Sequence, residues 1–246
     1  MVESIKDLRR ICQEPKGKET WYLKNVRRRA SIYITKLFLK LGITANQTTF
    51  ISIFIGVVGV ALFAFGNYWY TLSAVFLLHI SSILDCTDGE IARYRGASAV
   101  GAFFDSLFHD IMYGLMFVGI SFGVYQNNPH ILVFALGFSA SVFKMLHRLT
   151  SVKKGYYVKK LEDTPYKPKK ESGEPARSPL IKFLSFPLIK KPVFYVYSLN
   201  TFGQTLPLLL IAAIFDLMPI LLLFYGIFIP LVWFASLYTA YRDLRI

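Results

Sequence analysis

The feature that most constrains this chain is a series of six apolar stretches, each about 20 residues long. They lie near residues 47–66, 69–92, 100–124, 130–150, 194–215 and 218–241. A helix of that length crosses the roughly 30 Å hydrocarbon layer of a bilayer. The sequence therefore predicts an all-α integral membrane protein with six transmembrane helices.

The basic residues predict how these helices are oriented. Of the 28 lysines and arginines, 11 precede residue 47, two lie between the second and third stretches, 13 lie in 144–191 and two follow the last stretch. The alternate loops "GNYW", "QNNPH" and "DLMP" contain none. Because cytoplasmic loops carry the excess of Lys and Arg, we expect both termini in the cytoplasm.

Composition excludes other classes of protein. A formal charge of +13 would suit a nucleic-acid binder, but 54% hydrophobic residues in long apolar runs would not. The two cysteines, Cys12 and Cys86, are too few for a disulfide framework or a zinc site. We expect no nucleic-acid partner, and the polar N-terminus does not resemble a cleavable signal peptide.

Two cytoplasmic segments interrupt or precede the apolar stretches. Residues 20–42 mix aromatic and aliphatic residues with basic ones, which predicts an amphipathic helix in the lipid headgroup layer or, alternatively, an ordinary basic flank. Residues 152–193 form a basic insertion rich in Lys and Pro, which predicts irregular structure. The expected organisation is a cytoplasmic segment 1–46 followed by a transmembrane domain 47–246.

Ionisable residues cluster where the second stretch turns into the third, in "DCTDGEIARYRGASAVGAFFDSLFH". Asp85 and Asp88 are three residues apart, and Asp105 and His109 are four apart, so each pair shares a helix face. A short turn makes the two helices antiparallel neighbours, and their acidic faces can meet. Carboxylates at a membrane boundary are costly unless hydrated, paired or bound to metal.

Two interpretations of this cluster differ in function. Single aspartates could reach water near the loop with help from Arg93 and Arg95. Three converging carboxylates favour a hard cation instead, Mg²⁺ or Mn²⁺. The neighbouring residues Gly89 and Gly101 keep the helices slim, and Arg93 adds a positive charge. Together these features suggest a bound diphosphate, although small residues also simply help membrane helices pack.

The stretch resembles the signature of the CDP-alcohol phosphotransferase family, D-x2-D-G-x2-A-R-x8-G-x3-D-x3-D. The matching residues are Asp85, Asp88, Gly89, Ala92, Arg93, Gly101 and Asp105. Six spans and an N-terminal juxtamembrane helix also agree with the family's layout. Two positions depart from it: the spacer before Gly101 has seven residues, and His109 replaces the last aspartate.

The last aspartate of the family serves as a metal ligand and as the proposed general base. Either His109 or the adjacent Asp110 could take its place here. Four residues from Asp105 return to the same helix face, whereas five residues point about 140° away. We therefore favour His109, which suits proton abstraction at neutral pH but binds Mg²⁺ less well than a carboxylate. Asp110 would replace it only if the helix contained a π-bulge.

The resemblance further implies which residues bind the substrates. The CDP-linked donor would be held by Gly89, Arg93, Ser98 and the "NQTT" segment, which is Asn46, Gln47, Thr48 and Thr49. "NQTT" also has the character of a helix cap. Lys144 and Arg148 would either hold a phosphate on the acceptor or simply anchor the helix in the membrane.

The implied function is a metal-dependent phosphatidyltransferase of phospholipid synthesis in a bacterial or archaeal cell membrane. It would transfer a phosphatidyl or related group from a CDP-linked lipid or alcohol to a small alcohol acceptor and release CMP. Arg93 and His109 would be catalytic, with metal on Asp85, Asp88, Asp105 and His109. Since many members are homodimers, the resemblance allows a homodimer here. Two alternatives are a small cation transporter and a catalytically impaired lipid-binding homologue.

Overall fold

The computed structural model describes residues 2–13, 19–162 and 199–244, which form helices and connecting turns without a strand. The helices of these ranges are α1 (Ile5–Cys12), α2 (Arg28–Leu41), α3 (Ala45–Phe63), α4 (Tyr68–Arg95), α5 (Ala99–Asn127), α6 (Ile131–Glu162), α7 (Phe202–Ile214) and α8 (Met218–Leu244). A π-helical turn over Leu23–Arg27 leads directly into α2.

Short polar residues begin the transmembrane helices near the predicted positions. Thr44 caps α3 through a reciprocal pair of hydrogen bonds with Gln47, so the cap precedes the "NQTT" segment rather than lying within it. Asn67 caps α4, and Ser98 caps α5. Gly42 ends α2 in a left-handed conformation, with φ of 78°, which glycine adopts without strain.

Five helices are long and apolar enough to cross a membrane, namely α3, α4, α5, α6 and α8. The prediction of six spans is not confirmed. The fifth predicted span, 194–215, corresponds to α7, which has 13 residues and is about 20 Å long, shorter than the hydrocarbon layer. The chain is still in a turn at residues 199–201, and residues 194–198 lie outside the described part.

The start of the predicted irregular insertion is helical. α6 continues without a break from the fourth predicted span to Glu162, because residues 151–162 contain neither Pro nor a helix-ending turn. The remainder of the predicted insertion, residues 163–193, lies outside the described residues.

The transmembrane helices pack closely in pairs. α3 lies along α4, α6 lies along α8, and α5 contacts both α3 and α6. A single large apolar core joins them and includes Phe63, Leu78, Met112, Phe117 and Tyr225. This core brings the C-terminal end of α4 and the N-terminal end of α5, where the signature residues lie, to the same end of the bundle.

The N-terminal segment packs on α4 through a face that is partly polar. Part of the segment 20–42 is helical, as α2, and its Ile32 and Leu39 are buried, but the predicted amphipathic helix of the headgroup layer is not confirmed. Ser31 and Thr35 are buried as well, and both donate hydrogen bonds to the carboxylate of Glu90 on α4. The buried side of α2 therefore depends on hydrogen bonds to the protein in addition to apolar contacts.

Candidate functional site

A cavity of about 630 Å³ opens between α2, the start of α3, the end of α4 and the start of α5. Nine of the residues predicted to form the site line it. They are Asn46, Thr49, Asp85, Asp88, Gly89, Arg93, Ser98, Asp105 and His109. The turn between α4 and α5 folds the two halves of the signature back on each other, so residues 20 positions apart share one cavity.

Asp85, Asp105 and His109 form the tightest group in this cavity. One ligand atom from each lies within 4.8 Å of the other two. The His109 Nε2 atom is 3.8 Å from Asp85 Oδ1, and His109 Nδ1 is 3.6 Å from Asp105 Oδ1. Two carboxylates and an imidazole at these separations fit a divalent cation, and the carboxylate oxygens suit Mg²⁺ or Mn²⁺.

Asp88 lies in the same cavity but outside that group of three. It is buried, with 6% of its surface exposed, and Thr49 Oγ1 donates to its Oδ2 at 2.7 Å. A carboxylate has about four lone-pair sites, so Asp88 keeps unused acceptor capacity beside this bond. Asp88 can therefore contribute a further oxygen ligand from the wall of the cavity.

The hydrogen bond of His109 determines which of its nitrogens faces the acidic group. Nδ1 lies 3.0 Å from the backbone oxygen of Asp105. A carbonyl oxygen only accepts, so Nδ1 carries the proton in the neutral ring and the lone pair is on Nε2. Nε2 is the nitrogen that faces Asp85.

Asp110 points elsewhere, as expected from the helical repeat. Its carboxylate forms an ion pair with Arg148 Nε on the neighbouring helix α6. Arg148 also donates to the Ser106 hydroxyl at 2.9 Å. α5 is a continuous α-helix around His109, without the π-bulge that would bring Asp110 onto the metal face.

Arg27 belongs to the site although the sequence did not indicate it. Its side chain is buried and donates to the backbone oxygen of Ser82 and to Asp85 Oδ2, the latter at 2.7 Å. Asp85 Oδ1 stays directed at His109. In the sequence Arg27 is one of three consecutive arginines, and only its place at the end of the π-helical turn distinguishes it.

The "NQTT" segment is divided between two roles. Asn46 and Thr49 face the cavity. Gln47 completes the cap of α3, and the Thr48 hydroxyl donates to the backbone oxygen of Thr44 at 3.0 Å. Neither of these two lines the cavity, because successive residues of a helix point in different directions.

Gly101 lies where Asn46 and Ser98 meet. A Cβ atom at this glycine would be 2.8 Å from Asn46 Oδ1 and 3.1 Å from Ser98 Oγ. Ser98 caps α5 by accepting from the Gly101 amide, which directs the helix N-terminus into the cavity. Backbone amides at a helix N-terminus favour anionic ligands.

Arg93 and Gly89 form the wall nearest the N-terminus. Arg93 Nε donates to the backbone oxygen of Cys12 at 2.5 Å. Its Nη1 atom would lie 3.4 Å from a Cβ placed on Gly89, so the guanidinium lies over the glycine. Burial raises the pKa of the Cys12 thiol, which therefore stays protonated beside this contact.

The structure places Lys144 and Arg148 apart from the other predicted residues. Neither is among the described residues that line the cavity. Lys144 is 3% exposed and donates to Asn200 Oδ1 at 2.7 Å, and Arg148 is paired with Asp110. Lys144 thus connects α6 to the turn before α7, and Arg148 connects α6 to α5.

Comparison with protein families agrees with the resemblance noted from the signature. Residues 42–170, just over half of the chain, match the CDP-alcohol phosphatidyltransferase family. The matched region contains α3, α4, α5 and nearly all the residues of the cavity. A search of curated proteins finds no significant match.

Proposed function

Because the chain belongs to the CDP-alcohol phosphatidyltransferase family, we propose that it transfers a phosphatidyl or related phospho-alcohol group from a CDP-linked donor to an alcohol acceptor and releases CMP. The observation that carries the proposal is the cavity that joins three carboxylates, His109 and Arg93. Acidic and basic groups in one cavity suit a ligand that brings both phosphate and metal.

Asp85, Asp88, Asp105 and His109 are the residues that would hold Mg²⁺ or Mn²⁺. When bound, the cation would offset charge on the diphosphate and make its phosphorus more electrophilic. Arg93 adds a guanidinium whose terminal nitrogens lie along the Gly89 surface, where a phosphate can approach the backbone. Asn46 and Ser98 would bind the nucleotide part from the opposite wall.

His109 would act as the general base. Its Nε2 lone pair faces the acidic group and can accept the proton of an acceptor hydroxyl. The hydroxyl oxygen then forms a bond to the β-phosphorus of the donor. The bond from that phosphorus to the bridging oxygen breaks, and CMP departs with the bridging oxygen. The product is a phosphodiester.

The proposed membrane orientation puts the cavity at the cytoplasmic side. The signature turn and the N-terminal segment carry the basic residues, whereas the loops at the other ends of α3, α4 and α5 carry none. The exposed Tyr33, Leu37 and Leu41 of α2 would then rest in the headgroup layer. A lipid donor could enter from that layer.

A cation transporter fits the described residues less well. On α5, the buried side chains described beyond His109 are mainly apolar, and they include Met112, Met116 and Ile120, each 1% exposed, while Ser121 is buried and polar. No charged side chain accompanies these residues on the described part of α5 beyond Asp110, whereas a cation path needs ionisable or polar groups along its length.

The experiment that tests the proposal is CMP release by purified protein with Mg²⁺, CDP-diacylglycerol and a panel of alcohol acceptors. We expect turnover that stops with EDTA. Asp88→Asn should lose nearly all of it, on the order of 10²-fold or more, because an amide is a weak cation ligand. Asp216→Asn is the matched control, since Asp216 is exposed with φ of 53°, which Asn also adopts.

Ordinary turnover by Asp88→Asn at saturating Mg²⁺ would contradict the metal site. A wild-type protein that binds CDP-diacylglycerol without releasing CMP for any acceptor would instead identify a lipid-binding homologue.

A further inference from the structure

Glu90 is a buried carboxylate in the middle of the signature, at a position where the signature specifies no residue. It is 1% exposed, and no ion pair among the described residues includes it. Its Oε1 accepts from Gln13 Nε2 at 2.7 Å and from Ser31 Oγ at 2.5 Å, and its Oε2 accepts from Thr35 Oγ1 at 2.5 Å. A buried charge needs such donors, because leaving it unbonded costs several kcal/mol.

Gln13, the residue that caps the C-terminal end of α1, connects this helix to Glu90. The Gln13 side chain donates to Glu90 and also to the backbone oxygen of Arg28, the latter at 2.7 Å. Its own backbone oxygen accepts from Arg28 Nη1 at 2.8 Å. These bonds hold the C-terminal end of α1 against both α2 and α4.

Cys12, the residue before Gln13, forms a hydrogen bond with Arg93. The backbone oxygen of Cys12 accepts from Arg93 Nε, and carbonyls at the end of a helix carry partial negative charge that favours a cation. Arg93 is three residues after Glu90, on the same face of α4. α4 therefore binds the last residue of α1 and the residue that follows it: Arg93 binds Cys12, and Glu90 binds Gln13.

Arg93 contacts Cys12 through Nε, so its two terminal nitrogens, Nη1 and Nη2, remain available to bind a diphosphate. With Nε directed at a carbonyl, the plane of the guanidinium is set, and Nη1 and Nη2 lie over Gly89 at the cavity. A long arginine side chain without this bond would sample several rotamers. The position of the Cys12 carbonyl thus determines how Arg93 presents its two terminal nitrogens.

We propose that Glu90 and Gln13 are positioning residues for Arg93: they fix the end of α1 so that the Cys12 carbonyl orients the guanidinium for the diphosphate of the donor. The inference rests on the proposed function. It assigns the N-terminal segment, which precedes the matched family region, a part in binding the CDP-linked substrate.

The first test compares Gln13→Ala with Lys6→Gln, which changes an exposed side chain on the same helix. Gln13→Ala should raise the KM for CDP-diacylglycerol and the Kd for CDP by about tenfold, the usual effect of losing one well-oriented hydrogen bond to a charged group. The KM for the acceptor should stay unchanged. Loss of folded protein alone would lower the apparent kcat and leave both KM values unchanged, and that result would overturn the inference.

The second test asks whether the effect passes through Arg93. In an Arg93→Lys background the Nε contact is absent, so Gln13→Ala should have little further effect on CDP binding. A further tenfold loss in that background would overturn the inference, because Gln13 would then act independently of Arg93.

At position 90, glutamine is a conservative replacement for glutamate. Glu90→Gln can keep its oxygen on Gln13 and Ser31 and donate to the Thr35 hydroxyl, so the KM for the donor should stay close to that of wild type. Glu90→Leu removes the acceptor of all three hydrogen bonds and should reproduce the Gln13→Ala increase in KM. Equal KM values for Glu90→Leu and Glu90→Gln in folded protein would overturn the inference.

These outcomes separate the inference from the proposed function. A wild-type protein that neither binds CDP nor releases CMP would overturn both. A functional wild type with an unchanged Gln13→Ala variant would overturn the positioning role alone.

Discussion

At the scale of single residues, His109 occupies the position at which the family signature has its last aspartate. The helical repeat places it on the same face as Asp105, and its Nε2 faces Asp85. An imidazole there removes one negative charge from the site and supplies a nitrogen in its place. A cation bound there would be held chiefly by the carboxylates, and the proposed general base would be an imidazole nitrogen.

His109→Ala should lower the transfer rate by about 10²–10⁴, the usual contribution of general acid–base catalysis, and should leave CDP binding nearly unchanged. His109→Asp recreates the signature and should keep substantial activity. Asp110→Asn is the control on the adjacent residue, and its effect should be mild because Asp110 is directed at Arg148. CMP release measures all three. An inactive Asp110→Asn beside an active His109→Ala would refute the assigned roles.

At the scale of helices, α3 and α5 approach each other through small residues. Gly119 and Gly123 are four apart on one face of α5, and Cβ atoms there would lie 2.7 Å and 2.1 Å from the backbone oxygens of Val60 and Phe63. Only glycine allows backbones to pass at this distance. The crossing sets the angle at which α5 carries Asp105 and His109 to α4.

Gly123→Ala should therefore destabilise the protein, by about 1–3 kcal/mol, since the helices must separate to admit a methyl group. Gly155→Ala is the control, because a Cβ at that helical position meets nothing within 4 Å. It should be neutral or slightly stabilising, as alanine is the better helix former. Thermal unfolding in detergent, followed by tryptophan fluorescence, measures both. Equal melting temperatures for the two variants would show that the crossing tolerates a side chain.

At the scale of the whole molecule, charge is separated between the two ends of the bundle. The end with the cavity also carries the N-terminal segment and the signature arginines, and the loops at the other end have no Lys or Arg. This distribution favours a cavity that faces the cytoplasm, where CDP-linked substrates and CMP would be exchanged.

Single cysteines test this orientation in a chain whose Cys12 and Cys86 are both replaced by alanine. Asn128→Cys, between α5 and α6, should react with an impermeant maleimide added to intact cells. Arg9→Cys, exposed on α1, should react only after the membrane is opened. Each variant serves as the control for the other, and the reverse pattern would place the cavity on the wrong side for a cytoplasmic nucleotide.

Features that depend on distances along one helix could be predicted from the order of residues. Membrane-length apolar runs located α3, α4, α5, α6 and α8, because length and hydropathy suffice for a span. The family resemblance is confirmed. The pairing of Asp105 with His109, and the separation of Asp110 from them, follow from the 3.6-residue repeat.

Features that depend on how separate helices dock could be read only from the folded molecule. Arg27 reaches Asp85 across 58 positions of sequence, and Gln13 reaches Glu90 across 77, so no local pattern marks either contact. Lys144 and Arg148 have the spacing of a phosphate site, but the packing of α6 directs them to Asn200 and Asp110. Docking angles are set by the sum of many weak packing contacts, which residue order alone does not reveal.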